Sequence, residues 1–334
     1  MIINNLKKKE DIPEPGRIET HLPKHQLWEE QMRAWKECQA RVRRKVISPW
    51  ESEQAAWRYF EDTRRFQKER IDFLLARIKP AAEKKILDIG AGPGVLAIPL
   101  SEAGCEVTAV EPSAAMVKVL RKMAETRACP PVRCLTKFWE EVDPAAELSP
   151  PYDAVIASLS LLMSDIRHCL LKMRQVCCGP IYLLWPRSRT PWTEELTELY
   201  PKLYGFDYVP KPGAELLLKV VQELSWEMQQ YSIKAKTTET PAHEKARTPE
   251  SAIQAEEVEL LFRESFSSTD EALAHFRDYF GIYEADKTAL LTDFLRHNLK
   301  PHNGRYLLEH PFSALMITWE GNPLPHDRGF PVPS

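Results

Sequence analysis

Gly90, Gly92 and Gly94 fall within five consecutive positions of a 334-residue chain that holds only 12 glycines. Just before them, Ile86-Leu87-Asp88-Ile89 is a short apolar run carrying one carboxylate. A strand that ends in a turn nearly stripped of side chains and leads into a helix presents main-chain N–H groups to a ligand at close range. A second apolar run, 107–110, ends in Glu111. If the two runs are neighbouring parallel strands, Glu111 stands beside the carboxyl end of the first, where it can accept both hydroxyls of a ribose. The spacing is Gly-x-Gly-x-Gly, not the Gly-x-Gly-x-x-Gly of a dinucleotide pyrophosphate site, which disfavours a nicotinamide-dependent dehydrogenase. The segment also lacks the Lys-Ser/Thr of a phosphate-binding P-loop.

These residues need a scaffold, and the surrounding pattern supplies one. Strand-like runs at 86–89, 107–110, 132–135, 154–157 and 181–184 alternate with helical stretches at 95–103, 114–127 and 165–176. That alternation predicts βαβ units and a parallel sheet. Upstream, Trp28, Met32, Trp35, Cys38 and Val42 recur at helical spacing and predict an amphipathic helix over 25–45. A second helix is expected over 51–78, closed by Pro80. Downstream, 216–226 reads as a helix, 229–236 as an edge strand and 237–250 as a mobile excursion. Ser268 and Glu271 form a capping-box signal for a helix bearing Leu273, Phe276 and Phe280. One more helix carries Leu290 to Leu299, and 314–319 reads as a final strand.

Composition bounds the rest. With 43% hydrophobic and 28% charged residues the chain can bury a large core. The longest nearly uncharged run, 154–163, is about half the ~20 residues a membrane helix needs. Seven scattered cysteines, an odd number, suit reduced thiols and a cytoplasmic setting. A net charge of −3 argues against a nucleic-acid-binding surface along the whole chain.

Asp88, the three glycines and Glu111, in this order, resemble class I S-adenosylmethionine-dependent methyltransferases. The likeness runs through 100–104 and 107–116, and 138–142, 152–158 and 181–185 agree with it. It implies a Rossmann-like α/β fold: a mostly parallel seven-stranded sheet with helices on both faces, plus a helical N-terminal cap. It implies S-adenosyl-L-methionine as cofactor and S-adenosyl-L-homocysteine as product. Carried over by position, Gly90, Ala91, Gly92 and Gly94 shape the loop around the methionine part, and Asp88 organises that loop and the amino group. Glu111 holds the ribose, Pro112 lies against the adenine, Trp139 and Glu140 border its other side, and Ser158 sits under the sulfonium. For Trp139, core packing explains the residue as well as adenine contact does.

A sulfonium methyl is already activated, so no dedicated catalytic residue is required and none is assigned. After the fourth strand the chain reads Ala157-Ser158-Leu159-Ser160, without the Asn-Pro-Pro-Tyr-type motif of amino-methylating nucleic-acid enzymes and without a Pro-Cys. The acceptor expected is a small molecule, with nucleic acid disfavoured. Aromatic residues of the cap, including Trp35, Trp57 and Tyr59, could enclose a planar or cationic substrate or simply pack on the core. Tyr59 and Arg65 are the candidates for reaching cofactor or substrate. The run Arg41 to Lys45 reads as a solvated helix end or an anion contact. His21 with His25, the Cys177-Cys178 pair, and Cys129 with Cys134 lack the further ligands of a metal site, so none is expected.

The resulting organisation is an arm at 1–22, a cap at 23–80, a methyltransferase domain at 81–320 with a substrate-covering elaboration at about 186–265, and a tail at 321–334. The competing reading is a catalytically silent methyltransferase-like module that binds a protein or RNA.

Overall fold

The apolar runs flanking the glycines pair as strands in a computed structural model that describes residues 22–42, 51–236 and 253–321. β1 (Lys85–Ile89) lies between β2 (Glu106–Val110) and β4 (Ala154–Ser158), with β3 (Arg133–Leu135) beyond β2 and β5 (Ile181–Pro186) beyond β4. All five are parallel. They are covered on both faces, which is why β4 and β5 are continuous apolar runs instead of alternating ones. Two long antiparallel strands, β6 (Ile253–Phe266) and β8 (Arg305–Trp319), complete the order β3-β2-β1-β4-β5-β8-β6. The sheet is thus mixed α/β with the expected seven strands in sequence across it. An eighth, short strand β7 (Lys300–His302) pairs with β8 through Asn303-Gly304. Both turn residues have positive φ, 47° and 73°, as a two-residue hairpin requires.

Alternate residues of β1 face opposite layers. Leu87 and Ile89 pack under α1 (Lys24–Val42), α7 (Ile166–Val176) and α9 (Ala214–Lys236). Ile86 packs under α3 (Lys68–Ile78), α4 (Ala97–Glu102) and α5 (Ala114–Thr126). Asp88, on the Ile86 face, therefore looks towards α3. Between β3 and β4 the chain makes a 3-10 turn at Trp139–Glu141 and the one-turn α6 (Pro144–Glu147). A further aromatic cluster joins α8 (Pro191–Tyr204), α10 (Thr269–Phe280) and α11 (Ala285–Asn298) to the outer ends of β6 and β8.

Several sequence expectations are corrected. The helix expected over 51–78 is two: α2 (Glu53–Phe66) ends at Gln67, whose φ of −123° leaves the helical region, and α3 starts at once. The stretch 229–236 is the last part of α9, not an edge strand. Its Gln, Lys and Ala content favours a helix already running from Ala214. Strand β6 was not anticipated, because its charged residues hide the alternation of Val258, Leu260 and Phe262, and β8 starts nine residues before the expected 314. The expected excursion at 237–250, and all but one residue each of the arm (1–22) and the tail (321–334), lie outside the described residues. Among the described residues no helix is long and apolar enough to cross a membrane.

Trp28 ties α1 to the core. It is fully buried, donates its indole N–H to the Met163 carbonyl at 2.9 Å, and lies 6.2 Å from the Trp185 ring. Trp28→Ala should cost about 3–5 kcal/mol in urea denaturation, as for other fully buried aromatics. A loss below about 1 kcal/mol would show α1 to lie outside the cooperative core.

Candidate functional site

The glycine loop is shaped by main-chain bonds to β2. Gly90 and Ala91 donate their N–H groups to the Val110 carbonyl at 2.7 and 3.3 Å. All three glycines have positive φ (71°, 55° and 89°), a region that side chains disfavour, yet they serve different ends. A Cβ on Gly90 would sit 2.2 Å from Ser160 Cβ, and one on Gly94 would sit 2.9 Å from Leu120. Those two glycines allow close packing. A Cβ on Gly92 would meet nothing within 4 Å, so the loop is open there. Ser160 closes the other side by donating to the Ile89 carbonyl at 2.6 Å, and the preceding Leu159 takes a φ of 60° to place it.

Glu111 is nine-tenths buried and both of its oxygens bind main chain. Oε2 accepts from Gly92 N–H and Oε1 from Ser113 N–H, each at 2.9 Å. Each oxygen keeps a lone pair for a further donor. Burial raises the Glu111 pKa, and the two amide bonds oppose the rise.

Asp88 is only 2% exposed, and its Oδ2 has no hydrogen-bond partner. Burial, reinforced by the charge of Glu111, pushes its pKa up to about 7, while Arg70 pulls the other way. Arg70 on α3 is 5% exposed; it donates to Ser158 Oγ at 3.3 Å, and its Nε has no partner. A buried acid and a buried base, both with unused hydrogen-bonding capacity beside an open glycine turn, match a zwitterionic amino-acid group. Sequence reading missed Arg70. The available signal was its place four residues before Leu74 and eight before Ile78, on the buried face of α3.

Other expected residues are distributed differently. Pro112 is exposed, beside Glu111 at the carboxyl end of β2. Trp139, expected at the adenine, is instead 2% exposed in the core and donates its indole N–H to the Cys169 carbonyl at 3.2 Å. The buried Lys172 ammonium fixes this turn by donating to the carbonyls of Trp139, Glu140 and Val142 at 2.6, 3.1 and 3.1 Å. The ring left outside is Phe138, 58% exposed, next to an exposed Glu140. Arg65, expected near the substrate, is exposed and rests over Phe66, because it lies in the last turn of α2.

Tyr59 lines a cavity of about 410 Å³ bounded by α1, α2, α8, α10, β6 and β8. Its wall is strongly aromatic, with Trp35, Trp192, Phe262 and His310 among its members. Pro186, the last residue of β5, also lines it, and β5 pairs with β4 through Leu184 opposite Ser158. The cavity and the glycine loop therefore occupy the same carboxyl edge of the sheet, where open α/β sheets place their ligands.

Residues 86–178 match the family model described as a methyltransferase domain. Over this stretch the chain carries a methyltransferase domain. It is similar to an uncharacterized methyltransferase of Mycobacterium tuberculosis, 34% identical over 135 residues, or 39% of this chain and 51% of the relative. The chain thus spans about half the length of the curated relatives it matches first. Similar solved structures include the YcgJ protein of Bacillus subtilis, 15% identical with a TM-score of 0.48 over 76% of this chain and 99% of that one. Another is magnesium protoporphyrin IX methyltransferase of Synechocystis with bound SAH, 12% identical with a TM-score of 0.43 over 90% and 100% of the two chains.

Outside the glycine loop the remaining motifs have other settings. Cys177 is buried and Cys178 exposed, and among the described residues no group of three or more His, Cys, Asp or Glu could hold a metal. Arg41, first of the basic run, lies 3.6 Å from the centre of the Phe206 ring.

The raised pKa of Asp88 carries a stability signature. An unfolded chain releases this proton near pH 4, whereas the folded protein keeps it until about 7. More protons are bound by the folded state in that window, so stability falls as pH rises from about 4 to about 7, by at most about 1.4 kcal/mol per pH unit. Asp88→Asn should flatten that part of the curve in chemical denaturation. Identical slopes in both proteins would show that Asp88 does not hold its proton.

Proposed function

We propose that the protein is an S-adenosylmethionine-dependent methyltransferase that acts on a small molecule, with S-adenosylhomocysteine as product. The observation that carries this is the pair of buried, incompletely bonded charges, Asp88 and Arg70, beside the open Gly92 turn. Asp88 takes the amino group of the methionine part and Arg70 its carboxylate. Gly90, Ala91, Gly92 and Gly94 form the floor, and the free lone pairs of Glu111 take the ribose hydroxyls. Pro112 and the exposed Phe138, in place of Trp139, flank the adenine, with Glu140 at its edge. Ser158, held by Arg70, sits under the sulfonium.

The bound cofactor supplies a methyl already activated for in-line displacement. The protein then needs to orient the acceptor at that carbon and exclude water. In this reading the described parts of 23–80 and about 186–265 cover the acceptor, which enters the aromatic cavity beside Tyr59. The free thiols, seven in all, fit a reducing, cytoplasmic compartment.

Calorimetric titration of the full chain tests the reading. S-adenosylhomocysteine should bind saturably, and Glu111→Ala and Arg70→Met should each weaken it about 10- to 100-fold, the loss expected for a charged hydrogen-bonding partner. A folded wild-type protein that binds neither cofactor nor product would overturn the reading and favour the silent module.

A further inference from the structure

Among the described residues the aromatic cavity holds one cation without a counter-ion. Arg58 pairs with Glu271 at 2.8 Å, and Arg187 bridges Glu215 and Glu257 at 2.9 and 2.6 Å. Glu264 faces His275 Nε2 at 3.3 Å. Asp62 accepts from the Ser265 hydroxyl and N–H at 2.9 and 3.3 Å. Lys211 has no carboxylate and no hydrogen-bond acceptor among the described residues; its ammonium lies only over the Trp185 ring, 4.2 Å from the centre.

The position of Lys211 is built. It stands between Pro210 and Pro212, and a residue before proline is confined to extended backbone. The Pro212 carbonyl accepts the Trp185 indole N–H at 2.8 Å, locking the ring that supports the ammonium. Burial pulls the Lys211 pKa down to about 8, which leaves the group largely cationic at neutral pH. A half-buried cation without a counter-ion is costly, and an arriving anion recovers part of that cost.

We propose that this cavity binds a flat aromatic acceptor bearing an anionic group, such as a carboxylate or phenolate, with Lys211 as the counter-ion of that group. This rests on reading the cavity as the acceptor site. Its volume lies within the range of small-molecule pockets, and its walls offer ring faces for stacking. Aromatic walls alone would also suit a cation. Here, however, Asp62 is bonded to Ser265, Glu264 Oε2 makes no hydrogen bond but faces His275, and Lys211 would repel a positive ligand.

The test uses three matched probes, 2-naphthoate, 2-naphthamide and 2-naphthylmethylamine, titrated into the full chain with S-adenosylhomocysteine measured separately. Naphthoate should bind about ten-fold or more tightly than the amide, as expected for a charge-assisted contact, with the amine weakest. Lys211→Met should bring carboxylate and amide within about two-fold, and Lys211→Arg should keep the preference. S-adenosylhomocysteine affinity should be unchanged in both. Lys211→Gln gives the same comparison if the methionine variant does not fold, and the wild-type ranking stands without any variant. Amine binding equal to or tighter than naphthoate, a preference that survives loss of the charge, or no saturable binding of any probe would overturn the proposal. Loss of S-adenosylhomocysteine binding alone would strike the methyltransferase reading and leave the charge preference intact.

Discussion

Two main-chain amides, those of Gly92 and Ser113, converge on the buried carboxylate of Glu111. Each arm of that bridge has a separate consequence. The Gly92 arm holds the glycine turn open and close to the carboxyl end of β2. The Ser113 arm sets the residue whose hydroxyl caps α5 through Met116 N–H at 3.2 Å. The bridge also concentrates negative charge beside Asp88, which burial has already made reluctant to ionise. The loop's shape, the start of the following helix and the protonation of the neighbouring acid thus depend on one carboxylate between parallel strands.

Charge is treated differently in the two halves of the carboxyl edge. Near the glycines, Asp88 and Arg70 are buried with bonding capacity left over, an arrangement that costs stability unless a ligand completes it. Around the aromatic cavity most charges are paired within the protein; the exceptions among the described lining residues are Lys211 and Glu264, whose Oε2 makes no hydrogen bond. Rigid supports stand behind both sets: α3 packs on the sheet through Leu74 and Ile78, and Trp185 is held at the end of β5 by Pro212. Side chains positioned in this way need little reordering when a ligand binds.

The central strands were legible because strands covered on both faces are apolar along nearly their whole length, and 86–89, 107–110 and 154–157 are, Asp88 and Thr108 excepted. Their connections were legible from glycine and helical spacing. The outer strands were not, since β6 has one face towards solvent and carries Glu256, Glu257 and Glu259 among its apolar positions. Within the site, the adjacent pair Phe138 and Trp139 shows the limit of local reading. Both are aromatic; the bonds of Lys172 to three carbonyls and of the Trp139 indole to Cys169 hold the tryptophan inward, and the phenylalanine is left outside. Arg65 and Arg70 pose the same problem on consecutive helices, decided by the break at Gln67.

Sequence alone determined the parallel α/β core, the glycine turn and the two acids beside it, because these depend on residues near one another in the chain and on backbone conformations that few residues tolerate. Tertiary structure decided which basic residue faces Asp88, which aromatic ring stays exposed, and that Lys211 shares a cavity with Tyr59 and Phe262. Those pairings join segments tens to hundreds of residues apart. Their outcome depends on how helices settle on the sheet and where buried charges find partners, which no local spacing encodes.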